Sequence, residues 1–280
     1  MLMIATLCLA SSMGVVPDDP PESERPLPLE IAVPKRSNAR WQLEYARGLK
    51  NRLGERKESE REFWRDLAIE AYQAVRVHHP EEVSIGAEAA FRAGELLRTD
   101  GRTAEAAAEF ESAARLGRGG PFECRALIER GHLARRDGEP RRALDYYHDV
   151  VAKRTAGARQ RDDAWYWIGR MQRDLGRFDD AFRAWKTVAH GNGDTLDRIV
   201  AFDWWACTLL ERQDPNGAAG VLHDCSIRMR EAALEETRNG ERVRRALERM
   251  RARSRLIDEL ERARNAKVRS SENDRLSRKA

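Results

Sequence analysis

The sequence predicts an all-α solenoid, helix-turn-helix units stacked into a right-handed superhelix. Three observations predict it. First, four rows of residues return in register. Gly94, Gly131, Gly169 and Cys207 form one row, and Gly101, Gly138, Gly176 and Asp214 a second. Ala106, Ala143, Ala181 and Ala219 form the third, and Phe110, Tyr147, Trp185 and His223 the fourth. Each row steps by 37, 38 and 38 residues, and a period in this range marks stacked supersecondary units. Second, glycine separates two apolar-periodic segments in three of the units, at Asp100-Gly101-Arg102, Asp137-Gly138-Glu139 and Leu175-Gly176-Arg177. A helix C-terminus needs left-handed backbone at such a point, and glycine adopts it without a Cβ clash. Third, no stretch alternates with the period of a strand, and β-branched residues are sparse.

The elements follow in chain order. Residues 1–10 are apolar and lead into Ala10, Ser11, Ser12 and Gly14, which reads as a signal peptide over 1–14, although no Lys or Arg precedes the run. The run is shorter than the roughly 20 residues that span a bilayer, so no transmembrane segment is expected. Residues 15–37 hold six prolines among scattered acids and read as an extended linker. A divergent helical hairpin is expected over 38–80. Its first helix carries Trp41, Tyr45, Leu49 and Leu53; its second carries Phe63, Trp64, Leu67, Ala71 and Val75, with Ala68 and Tyr72 placed 38 residues before Ala106 and Phe110. The repeats occupy 81–238, with units at 87–120, 124–157, 162–195 and 200–233. In each, alanine and aromatic stand four apart and share one helix face, the alanine allowing close approach and the aromatic filling the groove. Residues 239–265 open on Asn239-Gly240, read as the break from the preceding helix, and carry an apolar stripe of Val243, Leu247, Met250, Ile257 and Leu260. This is the pattern of a basic amphipathic helix closing the array. Residues 266–280 lack apolar periodicity and are expected to be disordered.

These residues resemble the tetratricopeptide repeat family. The unit at 162–195 matches its pattern best, with Trp165, Ile168, Gly169, Gly176, Phe178, Ala181 and Trp185. The unit at 87–120 supplies Gly94, Gly101, Ala106, Phe110 and Ala113, and that at 124–157 Leu127, Gly131, Gly138, Ala143, Tyr147 and Val150. In the fourth unit Cys207, Asp214 and His223 replace the expected residues. The spacing is longer than the family's 34 residues, and the family's usual closing proline is missing.

The resemblance implies a concave groove lined by the first helix of each unit. The motif's inward-facing positions fall on Phe91, Ile128, Tyr166 and Trp204, on Glu95, His132, Arg170 and Thr208, and on Arg98, Arg135, Arg173 and Glu211. An apolar row thus runs beside a mostly arginine row. The candidate peptide-binding residues are Phe91, Arg98, Ile128, Arg135, Tyr166, Arg170, Arg173 and Trp204, since aromatics and arginine dominate binding hot spots and arginine grips carboxylates bidentately. The family's carboxylate clamp for chaperone tails is absent: Phe91, Glu95, Glu129, Asp163 and Trp167 occupy its places.

Chemistry is sparse. There is no nucleophile elbow, phosphate-binding glycine loop or zinc-binding histidine pair, and His78-His79-Pro80 has no ligand set around it. No enzyme activity, cofactor, metal or small-molecule substrate is expected. Three cysteines remain after Cys8, namely Cys124, Cys207 and Cys225, an odd number that does not make a disulfide framework. Net charge is +4, but from Arg228 onward 17 Lys and Arg face 10 Asp and Glu. The function expected is therefore an exported, bacterial-type scaffold, periplasmic or extracellular, that binds protein or peptide partners. The alternatives are a cytoplasmic location, nucleic-acid or anionic-surface binding through the basic terminal helix, and an accessory module of an enzyme complex.

Overall fold

The computed structural model describes residues 33–235, 237–253, 255, 259 and 262. The expected signal peptide and tail lie outside these residues, as does nearly all of the linker. The chain divides into two units, Met1–Pro34 and Lys35–Ala280. The second is a stack of antiparallel helical hairpins, with no strand among its described residues. Its helices are α1 (Ala39–Arg52), α2 (Glu58–His78), α3 (Val83–Thr99), α4 (Thr103–Leu116), α5 (Pro121–Arg136) and α6 (Pro140–Ala152). There follow α7 (Ala158–Asp174), α8 (Phe178–Ala189), α9 (Thr195–Glu211), α10 (Pro215–Arg228), the short α11 (Arg230–Leu234) and α12 over 238–253. From α1 to α10 each helix packs on the next, and α1, α3, α5, α7 and α9 also meet in succession, which makes them one layer.

The glycine rows have two separate physical causes. Gly101, Gly138 and Gly176 lie in the left-handed region, at φ 82°, 76° and 74°. The residue after each donates its N–H five residues back, Arg102 to the Leu97 carbonyl at 3.0 Å, Glu139 to Ala134 at 2.9 Å and Arg177 to Gln172 at 2.8 Å. That is the Schellman closure of a helix. Gly94, Gly131 and Gly169 are helical, and their role is space. A Cβ there would stand 2.7 Å from the Phe110 ring, 2.5 Å from Tyr147 and 2.3 Å from Trp185 respectively. All three rings are fully buried, so each glycine is the seat of the aromatic on the second helix of its own hairpin.

The fourth unit is shifted by one residue from the register expected. The left-handed turn residue is Gln213, at φ 61°, and Asp214 next to it closes α9 with a bond to the Leu209 carbonyl at 2.9 Å. Asp214 is instead the N-cap of α10, its Oδ1 accepting from the Gly217 N–H at 2.8 Å. The seat is then Ala206, the close-packed alanine Ala218 and the inserted side chain Leu222, all buried. Cys207 and Ala219 are half-buried and His223 is exposed. In place of glycine and an aromatic ring, this hairpin pairs Ala206 with Leu222, a larger seat with a narrower inserted side chain.

The N-terminal hairpin joins the array through buried and half-buried polar contacts. Arg102 pairs with Asp66 at 2.6 Å and Arg76 with Glu109 at 2.7 Å. Gln73 donates to Glu109 at 2.8 Å and Arg47 pairs with Glu88 at 2.6 Å. Between α1 and α2, Leu53–Glu55 forms a 3-10 turn and α2 begins at Glu58. At the other end, Asn239-Gly240 does not separate the last two helices but lies in the first turn of α12. Thr237 marks that start, its Oγ1 accepting from the Gly240 N–H at 3.0 Å. Val243, Ala246, Leu247 and Met250 of α12 are buried with Phe202, Ala206, Leu222 and Cys225 of α9 and α10.

Candidate functional site

The layer made by α5, α7 and α9 carries a ladder of arginine and tryptophan. Trp167 lies on α7 between two guanidinium groups, Arg135 of α5 at 4.5 Å and Arg170 of its own helix at 5.3 Å from the ring centroid. Arg170 lies 3.9 Å above the ring of Trp204 on α9, and Arg173 lies 5.2 Å from that same ring. The order across the surface is Arg135, Trp167, Arg170, Trp204, Arg173. Helical spacing produces it: Trp167, Arg170 and Arg173 are three apart on α7 and share a face. Cation–π contact then holds each long side chain against a flat neighbour.

The arginines differ in what they meet. Arg173 makes a bidentate bridge to Glu211, at 3.0 and 2.7 Å. Arg98 pairs with Glu129 at 3.2 Å. Arg135 and Arg170 have no carboxylate partner among the described residues, and the Nε of each is buried with no acceptor. Arg170 reaches only the Tyr166 hydroxyl, at 3.5 Å. The ladder therefore holds two half-buried positive charges that meet tyrosine side chains but no carboxylate among the described residues, against aromatic faces that lower the local dielectric.

Beneath the ladder sits His132. Its Nδ1 lies 2.8 Å from the Tyr147 hydroxyl, and its ring meets the Trp167 ring at 4.9 Å, edge on. Burial, reinforced by Arg135, Arg136 and Arg98, pushes its pKa down to about 4, so the ring is neutral at pH 7. Beside the ladder, Tyr166 and Trp167 border a cavity of about 290 Å³ that also meets Asp162, Asp163 and Asp197. Burial raises all three carboxyl pKa values, opposed at Asp163 by a hydrogen bond from Trp167. One edge of the ladder is thus cationic and the other acidic.

Of the eight groove residues expected from sequence, the structure brings five together: Arg135, Tyr166, Arg170, Arg173 and Trp204. Phe91 and Ile128 do not line a surface, being only 2% and 7% exposed. Phe91 is packed between Phe110 and Phe122, each 5.6 Å away, under the Arg125 guanidinium. Arg98 is taken up by Glu129. Trp204 belongs to the ladder, but in the corrected register it is the counterpart of Trp167, and Asp203 takes the place assigned to it. Trp167 itself was assigned only as a departure from the chaperone clamp. The signal for it was the Trp-x-x-Arg-x-x-Arg spacing of Trp167, Arg170 and Arg173. Among the described residues no group of three or more His, Cys, Asp or Glu is placed to hold a metal ion, and no helix is long and apolar enough to cross a membrane.

A tetratricopeptide repeat family model matches residues 65–121 and 128–189. Over these residues the chain carries tetratricopeptide repeats. No curated protein matches the chain in sequence. Among solved structures, MamA protein aligns at TM-score 0.51 with 17% identity, covering 71% of this chain and 96% of MamA. BtubC from P. vanneervenii aligns at 0.52 with 14% identity, covering 71% and 91%. A tetratricopeptide repeat protein from Parabacteroides merdae ATCC 43184 aligns at 0.52 with 16% identity, covering 79% and 77%. At these identities the likeness is one of fold. The family match ends at residue 189, so the hairpin of α9 with α10 lies beyond it, and that hairpin is the one whose register shifts.

Proposed function

We propose that this tetratricopeptide repeat protein is a non-catalytic scaffold that binds segments of other proteins across α5, α7 and α9. The observation that carries the reading is the pair Arg135 and Arg170, held on tryptophan faces without a carboxylate of their own. A peptide carboxylate reaching either gains charge-assisted hydrogen bonds, while its apolar side chains cover Trp167 and Trp204. The ligand is accordingly an acidic segment with apolar anchors. Its place is outside the cytoplasm, a reading supported by the apolar run of residues 1–10 and the small residues after it.

Affinity capture from the native cell, followed by mass spectrometry, tests the site. Truncating a central anchor typically costs about 2 kcal/mol or more of binding, so Arg170→Ala and Trp204→Ala should each lose the partners that the unaltered protein retains. An unchanged partner set with both variants, each still folded by circular dichroism, would place the binding surface elsewhere. N-terminal sequencing of the native protein tests export: a mature end at residues 11–15 is expected, and Met1 retained in a cytoplasmic fraction would refute it.

A further inference from the structure

A second groove, of about 460 Å³, runs between α9 and α12; no ladder residue lines it, and it shares Val200 with the cavity beside Tyr166 and Trp167. Its accessible apolar side chains are Leu196 and Val200, the latter 43% exposed, above the buried Ile199 and Met250, with Asp203 beside them. Its wall is a line of arginines, Arg242, Arg245, Arg249 and Arg253, which helical spacing brings to one side of α12. Arg253 is committed to Asp203 and to the Cys207 sulfur, the latter at 2.8 Å. Arg245 has a long, exposed contact with Glu241 at 3.4 Å. Arg242 and Arg249 have no ion pair among the described residues and are exposed. An exposed valine on an apolar floor, beside two unpaired guanidinium groups, is a surface with one uncovered face and one unneutralised edge.

We infer that this groove docks an amphipathic helix of a partner protein, one with apolar residues along one face and glutamate or aspartate beside them. The apolar face would cover Val200 and Leu196, and the carboxylates would meet Arg242 and Arg249 as bidentate pairs. Charge decides against this chain's own C-terminal segment, since residues 263–280 carry Arg264, Lys267, Arg269, Arg275, Arg278 and Lys279 against Glu272 and Asp274. Shape and composition decide against the other anionic ligands. No aromatic side chain lines the groove, whereas single-stranded nucleic acid draws much of its binding from bases stacked on such rings. A concave channel also offers nothing to a flat bilayer, which takes up a protruding apolar face.

The test uses the full chain and a short fluorescein-labelled helical peptide, with leucine at i, i+4, i+7 and i+11 and glutamate at the flanking positions, read by fluorescence anisotropy. Saturable binding is expected, weakening on going from about 50 to about 300 mM NaCl. The double variant Arg242→Glu/Arg249→Glu should weaken it by about tenfold or more, because each rim charge is reversed rather than removed. Val200→Glu, which places a carboxylate on the floor, should weaken it similarly. Both sites are exposed, so the melting curves should hold and show that the variants fold. Because the ladder also takes acidic segments with apolar anchors, the titrations are repeated in an Arg170→Ala/Trp204→Ala background, where the loss caused by Arg242→Glu/Arg249→Glu should be as large as in the unaltered chain. The inference is overturned by any of three results: no saturable binding to the unaltered chain, equal affinity in the Arg242/Arg249 variant, or tighter groove-dependent binding of a thymidine oligonucleotide or of phosphatidylserine vesicles.

Discussion

A helical glycine seated under a buried ring leaves no room for a methyl group. At Gly169 the added Cβ would stand 2.3 Å from the Trp185 indole, and Trp185 is fully buried, so the ring has nowhere to move. Gly169→Ala should therefore destabilise the protein by about 2 kcal/mol, within the usual range for overpacking. Gly48 supplies the internal control. It is exposed in α1 with nothing within 4 Å of an added Cβ, so Gly48→Ala should stabilise by about 0.5–1 kcal/mol through helix propensity alone. Chemical denaturation of the two variants checks the opposite signs. Gln213 presents the reverse case, a residue with a side chain held at φ 61°. Gln213→Gly relieves the left-handed strain and should raise stability by about 0.5–1 kcal/mol, the strain relieved exceeding the entropy glycine adds to the unfolded chain. A fall in stability at that position would mean that the Gln213 side chain contributes contacts worth more than its backbone strain.

Each helical hairpin from α3 to α10 is defined by one inserted side chain and the small residue that seats it. That pairing is why so much of the element order is legible from sequence. Gly94 with Phe110, Gly131 with Tyr147 and Gly169 with Trp185 keep one separation, and three left-handed glycines mark the turns between. The fourth unit hid its register because Ala206 and Leu222 carry the same fit with different residue types, while Cys207 and His223 happen to stand one place along. No sequence pattern announces Gln213 as a left-handed residue. The site was legible in part for a similar reason. Arginines at helical spacing on α7 can be read directly, but the burial of Phe91 depends on Phe110 and Phe122 arriving from two neighbouring helices. His132 shows what the element packing does to a titrating group. Its folded pKa is near 4, against about 6.5 in an unfolded chain. Between these values the unfolded chain binds more protons, so stability rises with pH. The contribution is complete above about pH 6.5 and is lost as pH falls toward 4, on the order of 2 kcal/mol. Asp162, Asp163 and Asp197, with raised pKa values, act with the opposite sign. Comparing the unaltered protein with His132→Gln by denaturation at pH 7.5 and 4.5 isolates the histidine: the variant should show the smaller loss on acidification.

At the scale of the whole array, each hairpin is covered only by its neighbours, so stability is transmitted along the stack and a lost end should be felt locally. The α12 helix covers the last hairpin. Its Val243, Ala246, Leu247 and Met250 are buried against Phe202, Ala206, Leu222 and Cys225. The thiol of Cys225 lies 3.6 Å from the Met250 sulfur, is fully buried, and has its pKa pushed up to about 12 by that burial. Cys124, on α5, is equally buried but far along the stack from α12, in a separate cluster with Leu127, Tyr147 and Ala164. Ending the chain before α12 should therefore expose one thiol and spare the other. The expected result is rapid modification of Cys225 by a thiol reagent in the truncated protein, with Cys124 as slow as in the full chain. Peptide mapping of the modified sites makes the assignment, with Cys207 expected to react faster too once Arg253 no longer lies against its sulfur. If Cys124 becomes reactive together with Cys225, the array unfolds as one cooperative body and α12 stabilises all of it. If neither reacts, the contacts of α12 do not hold the last hairpin closed, and the core shared by α9, α10 and α12 is not the source of stability at this end.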